Sequence, residues 1–199
     1  MKILDYIKLI LLFIFLVLFN CAGKKDSLGM DDEIRVICSE IDEPIIRDYL
    51  IKVFNDTIYT PAPEPLFKLI FSRPAYYQDL KRYAQVIVAA VDRDNSNSGF
   101  RLVQKLLPEN QLNIEANDNP VLLTRDLYAK DQVYVVINAI DKDHLFKNIN
   151  KNKNLLRSYY DEQFKLRGSR FLFKDNHIEY EEKLNLDYGW SIKIPWGWE

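Results

Sequence analysis

Gln85-Val86-Ile87-Val88-Ala89-Ala90-Val91 carries no polar side chain after Gln85 and is rich in β-branched residues. Such a run reads as a strand covered on both faces. Val133-Tyr134-Val135-Val136-Ile137-Asn138-Ala139-Ile140 reads as a second strand of the same kind. Residues 33–39 differ, because Ile34, Val36 and Cys38 alternate with Arg35 and Ser39, as in a half-buried strand. Between these strands lie helical stripes. Ile45, Ile46, Tyr49, Leu50, Val53 and Phe54 recur at helical spacing, with Asp42 placed as N-cap and Pro44 in the first turn.

Outward from this frame the signals weaken. Thr60-Pro61-Ala62-Pro63-Glu64-Pro65 has three prolines, which exclude a helix or an inner strand and leave an extended connector. Residues 66–72 read as a short apolar strand. Pro74 opens a helix that turns Tyr76, Tyr77, Leu80 and Tyr83 inward, and Phe100, Val103, Leu106 and Leu107 give another before Pro108. Residues 111–120 are irregular, with a candidate edge strand at 112–115. Asp141 caps a long helix whose stripe runs through Leu145, Ile149, Leu156, Tyr160, Phe164 and Arg167, with Gly168 as a break. The Asn/Lys run at 148–154 reads as an exposed helix face or loop. Residues 177–186 read as helix, and Trp190, Ile192 and Ile194 alternate as a last strand. The expected class is α+β: a two-layer sandwich of a mixed sheet with helices on one face. The ferredoxin-like arrangement is its specific form and a parallel α/β sheet the alternative.

The N-terminus carries an address. Lys2 and Lys8 precede eleven apolar residues, 9–19, and Asn20-Cys21 follows. A positive start and an apolar core of ~7–15 residues make a secretory signal, and the core is shorter than the ~20 residues of a spanning helix. Leu18-Phe19-Asn20-Cys21 resembles the bacterial lipoprotein box, where cleavage leaves a diacylated (palmitate-bearing) cysteine at the new terminus. Asn20 departs from the usual small residue, and Asp5 is atypical so near the start. The expected organisation is a signal peptide at 1–20, a flexible tether at 21–32, an α+β domain at 33–174, and at 175–199 a helix and strand beginning an incomplete second half. The expected location is a bacterial membrane, the outer membrane first, held through lipid on Cys21. Two acyl chains suffice for stable attachment.

Composition narrows the chemistry. With 27 basic and 29 acidic residues the chain has a formal net charge of −2, so nucleic acid is not expected as a partner. The sequence holds no glycine-rich phosphate loop, nucleophile elbow, paired-cysteine metal motif or zinc-protease histidine pair. No catalytic residue, metal or cofactor is assigned. Cys38 reads as a small buried hydrophobe, since nothing local supplies a base. His177, Glu179, Glu181 and Glu182 suggest ligands, but at helical spacing His177 and Glu181 share a face while Glu179 points away, so a solvated helix face is the reading. Glu64 with Asp48 or Asp92 is the one carboxylate set considered for hydrolysis. Trp190, Trp196 and Trp198 cluster beside Tyr188. Three readings stand for them: packing inside a larger fold, an envelope-protein interface, or stacking on a glycan.

Several stretches together resemble a family of bacterial lipoproteins, domain of unknown function 4837. They are Glu33-Ile34-Arg35-Val36-Ile37, the helix bearing Asp48-Tyr49-Leu50 and Phe54, Pro61-x-Pro63-Glu64-Pro65-Leu66-Phe67, and Lys81-Arg82-Tyr83 before a Val/Ile strand. The resemblance implies an envelope location and transfers no catalytic residue. Members of that family are longer, which implies a truncated or short member here. The expected function is a non-enzymatic binding or structural module of the cell envelope. The alternative is an envelope hydrolase that acts on glycan or peptide through carboxylates.

Overall fold

The computed structural model describes residues 23–59, 61–112 and 119–197. The expected signal peptide, Cys21, Trp198 and all but the first residue of the candidate strand at 112–115 lie outside them. The elements in chain order are β1 (Glu33–Ile37), α1 (Glu43–Val53), β2 (Thr57–Tyr59), β3 (Pro63–Pro65), β4 (Lys68–Ser72), a 3-10 turn at Pro74–Tyr76 running into α2 (Tyr77–Leu80), β5 (Gln85–Ala90), α3 (Ser98–Leu106), α4 (Glu109–Leu112), β6 (Val121–Arg125), β7 (Val133–Asn138), α5 (Lys142–Lys147), α6 (Ile149–Leu172) and α7 (Ile178–Tyr188).

The fold is mixed α+β, with a five-stranded mixed sheet in the order β4-β1-β5-β7-β6 and a separate β2–β3 ribbon. β4, β1, β5 and β7 run parallel, and β6 joins β7 antiparallel as an edge. The ferredoxin-like version gives way here, because helical crossovers join the neighbouring strands and hold them parallel.

Period-two alternation sorts the strands onto two cores. Ile34, Val36, Ile87, Ala89, Val133, Val135 and Ile137 meet Ile46, Tyr49, Leu50 and Val53 of α1 and Leu156 and Tyr160 of α6. This is the main helical layer. Its aromatic centre is edge-to-face: Phe54 lies 4.9 Å and Phe67 6.1 Å from Tyr160 between ring centroids. Ile37, Val86, Val88, Ala90, Tyr134 and Val136 meet Tyr77, Phe100, Leu102 and Val103 on the opposite face, which only the short helices cover. Steps from β1 to β4 and from β4 back past β1 to β5 go in opposite directions and use opposite faces, so both crossovers keep one hand.

Some expectations are corrected. Residues 121–125 form a strand the sequence reading left out; they are short and partly exposed, and the ladder to β7 rather than their own pattern makes them extended. Residues 190–194 form no strand, since they find no ladder; one isolated bridge, Asn176 to Pro195, is all that pairs there. α6 runs through Gly168 to Leu172, carried by its neighbours. Asn152, on the stretch read as exposed, is fully buried on the inward face of α6. Tyr76, expected inside together with Tyr77, is exposed, while Tyr77 is buried as expected.

Two buried groups of the main core give the fold a pH signature. Burial first, then the charges of Glu43 and Asp42, push the Cys38 thiol from 9.0 up to about 12. Burial pushes the Tyr49 phenol from 10.0 up to about 12. Both are neutral in the native state, so the unfolded chain releases its protons first. Their contribution is complete below pH 9.0 and is lost as the pH climbs through about 12. Urea midpoints should fall across that window, and Cys38→Ala should flatten the fall; an unchanged midpoint would show that neither group is buried as described.

Candidate functional site

In a sheet of this winding the first place to look is the crevice beyond the carboxyl ends of β1 and β5, where the strand order reverses. Helices α1 and α3 both start there. What occupies the crevice is the protein's own Asp42, 1% exposed. Its Oδ1 accepts from the Asp92 backbone N–H at 2.9 Å. Its Oδ2 accepts from Ser39 Oγ at 3.0 Å and from Asn97 Nδ2 at 2.9 Å. Ser39 Oγ in turn accepts from the Asp42 N–H at 3.2 Å.

Asn97 is used at both ends. Its Oδ1 caps α3 by accepting from Gly99 N at 2.8 Å and Phe100 N at 3.3 Å. Its amide also donates to the Asp92 carbonyl at 3.0 Å. Gly99 is required by close approach, because a Cβ there would stand 3.1 Å from Ser39 N and 3.3 Å from the Ala89 carbonyl. Asp42 does not cap α1 with its side chain, contrary to expectation; it reaches across to β5 and α3 instead. Charge-assisted bonds of this kind are the strong class, and the positive ends of two helices face the same carboxylate. The seat where such folds take a ligand is thus filled from within.

A second polar centre lies at the opposite, lower end of the sheet. Arg167 of α6 donates to Asp31 Oδ1, to Ser27 Oγ, and to the Gly29 carbonyl at 3.0 Å. Ser27 N donates to the Lys130 carbonyl and Leu28 N to the Arg82 carbonyl. Gln85, fully buried, donates to the Asp31 carbonyl at 2.6 Å. Gly29 has φ +85°, and a Cβ there would stand 2.6 Å from the Tyr83 ring. Residues 25–31, inside the stretch read as a tether, are therefore laid along the lower edge of the fold. Beside them lies a depression of about 600 Å³.

The third feature is the arm formed by residues 175–197. α7 and the returning segment hold each other: His177 N donates to the Ile194 carbonyl at 3.0 Å and Trp196 N to the Asp175 carbonyl at 2.9 Å. Glu181 Oε1 accepts from Ile194 N at 2.7 Å, and His177 stacks on Trp196 at 6.0 Å. No residue from 175 to 197 is buried. Leu186 is 86% and Trp196 70% exposed, and Ile178, Tyr180, Tyr188, Trp190 and Ile192 are exposed too.

The residues singled out in the sequence fall as follows. Trp190 and Trp196 both lie on the arm. Glu64 sits on the β2–β3 ribbon below β4, whereas Asp92 follows the upper end of β5, so the structure does not bring that pair together. Asp48 is ion-paired with Lys52 on the exposed side of α1. His177 belongs to the Trp196 stack and Glu181 to Ile194, so their proximity serves the arm's own fold. Among the described residues no three histidines, cysteines or carboxylates gather at metal distance. Ser39, Asn97 and Arg167 were missed as anchors. The visible signal was Ser39-x-x-Asp42 after one strand and Asn97-Ser98-Gly99 after another.

Residues 27–167 match the model of a domain of unknown function, DUF8532, and the chain belongs to that family. This corrects the resemblance to domain of unknown function 4837. The proline segment that chiefly carried it is an exposed ribbon leading into β4. No curated protein and no solved structure matches the chain. The arm lies beyond the matched residues.

Asp42→Asn keeps shape but turns an acceptor into a donor facing Ser39 Oγ and Asn97 Nδ2 or the Asp92 N–H. It should destabilise the fold by about 2 kcal/mol in urea denaturation. A variant as stable as the parent would remove Asp42 from the centre of the crevice.

Proposed function

We propose that this DUF8532 member is a lipid-anchored, non-enzymatic binding module of the bacterial cell envelope, and that its arm at 175–197 is the surface a protein partner covers. The observation that carries the reading is the contrast between core and arm. The α+β body satisfies its most buried carboxylate, Asp42, internally. The arm, in contrast, keeps seven large apolar side chains in water on a segment with no buried residue. Concentrated apolar exposure of this kind marks interaction surfaces, and tryptophan and tyrosine are typical of their energetic centres. The acidic residues Glu179, Glu182 and Asp187 of α7 favour a partner with basic character at the rim. The signal segment ending at Cys21 supports the anchor.

Two readouts on one sample test this. Mass spectrometry of the native protein should find a chain beginning at a diacylated Cys21, and Cys21→Ser should release it from membranes. A photo-crosslinking residue at Trp196 or Tyr188 should give one discrete protein adduct in cells, while the same residue at Asn95, at the upper end of the sheet, should give none. An intact Met1 terminus would refute the anchor. Crosslinks no more frequent from the arm than from Asn95 would refute the interface.

A further inference from the structure

The lower end of the fold combines features that nothing above explains. Met30 is 66% and Phe171 82% exposed, and both stand on the rim of the same depression as Lys130 and Arg170. They come from segments far apart in sequence. The Arg167 bonds to residues 27–31 and the pairing of Lys130 N with the Lys25 carbonyl bring them together. Lys24 and Lys25 lead into this edge, and Lys24 is held on the Asp126 carbonyl. The turn Lys81-Arg82 lies beside Leu28, itself exposed. Asp31 and Asp131 here are ion-paired with Arg167 and Arg170, while Asp26 lines the same depression and Asp126 stands exposed nearby. The upper end of the sheet carries Glu40, Asp92, Asp94, Asp141 and Asp143, with Arg73 paired to Glu40 and Arg93 and Lys142 beside them.

We propose that this lower end rests on an anionic lipid surface, with Met30 and Phe171 entering the headgroup region and the surrounding lysines facing lipid phosphates. The proposal rests on the lipid-anchor reading of Cys21. Two observations commit the occupant. The first is continuity: Lys25, four residues beyond Cys21, is already paired with Lys130 at this edge, and from there the chain is pinned to the body. A lipid on Cys21 therefore leaves little slack between bilayer and fold. The second is charge: Lys24, Lys25, Lys81, Arg82 and Lys130 gather at this edge around the apolar pair, with Asp26 among them, so an anionic surface is met by the lysines. Exposed apolar side chains within a basic ring are the composition of interfacial binding. The acidic arm is not suited to that surface, which keeps the two interfaces distinct.

The test uses the full acylated protein in vesicles of phosphatidylethanolamine with phosphatidylglycerol. Single cysteines at Met30→Cys, Phe171→Cys and Asn95→Cys are spin-labelled; Cys38 is buried and does not compete. Labels at 30 and 171 should be shielded from an aqueous nickel chelate and open to oxygen, and the label at 95 should show the reverse. Lys25→Glu with Lys130→Glu should lower the shielded population by at least about fivefold for each lysine removed. Mass spectrometry of the same sample reports acylation. With Cys21 acylated, labels at 30 and 171 as water-exposed as that at 95 would overturn the proposal while the anchor reading stands. Equal shielding on phosphatidylcholine alone would overturn its electrostatic part. An unmodified Cys21 would overturn the anchor reading and, with it, this one.

Discussion

The carboxylate of Asp42 joins three parts of the chain that meet nowhere else in so polar a way. It belongs to the turn after β1, it holds the backbone leaving β5, and through Asn97 it fixes the start of α3. With 1% exposure it has no water to fall back on, so each of its three donors must be in place. The main helical layer and the short helices pack on opposite faces of the sheet, and this is the point where the two are tied. Gly99 is part of the same constraint, since only a residue without Cβ lets α3 start so close to β1 and β5.

Filling the crevice from within has a consequence for function. Sheets of this winding recruit ligands where Asp42 sits. Here the helix N-termini already face an anion, and the cap of α3 is complete. The outside is polar in the geometric sense: a basic, partly apolar lower end beside the chain's entry, acidic loops at the upper end, and a separate aromatic arm. In the proposals above, the first meets a lipid surface and the arm a protein partner.

The frame was legible in the sequence because it depends on local pattern. The β5 and β7 runs, the alternation in β1 and the stripe of α1 each state their own environment. What escaped the reading depends on partners. β6 is extended because β7 is beside it, and residues 190–194 are not a strand because nothing is. Asn152 looks like a solvated helix residue until α6 turns it inward. The role of Asp42 was misread for a related reason: at a helix start a carboxylate reads as a cap, and only the tertiary fold brings Asn97 and the Asp92 N–H within reach. The resemblance to domain of unknown function 4837 leaned on the proline segment, which is an exposed ribbon outside the main sheet.

Native-state hydrogen exchange tests the central claim, that the Asp42 cluster is a structural lock and not an adjustable site. The Asp92 and Gly99 amides should exchange only through global unfolding, at the free energy of the slowest β5 and β7 amides, whereas amides of α7 should exchange through local opening. Asp92 and Gly99 amides exchanging as freely as the arm would show a crevice that opens in the native state, and would contradict the account.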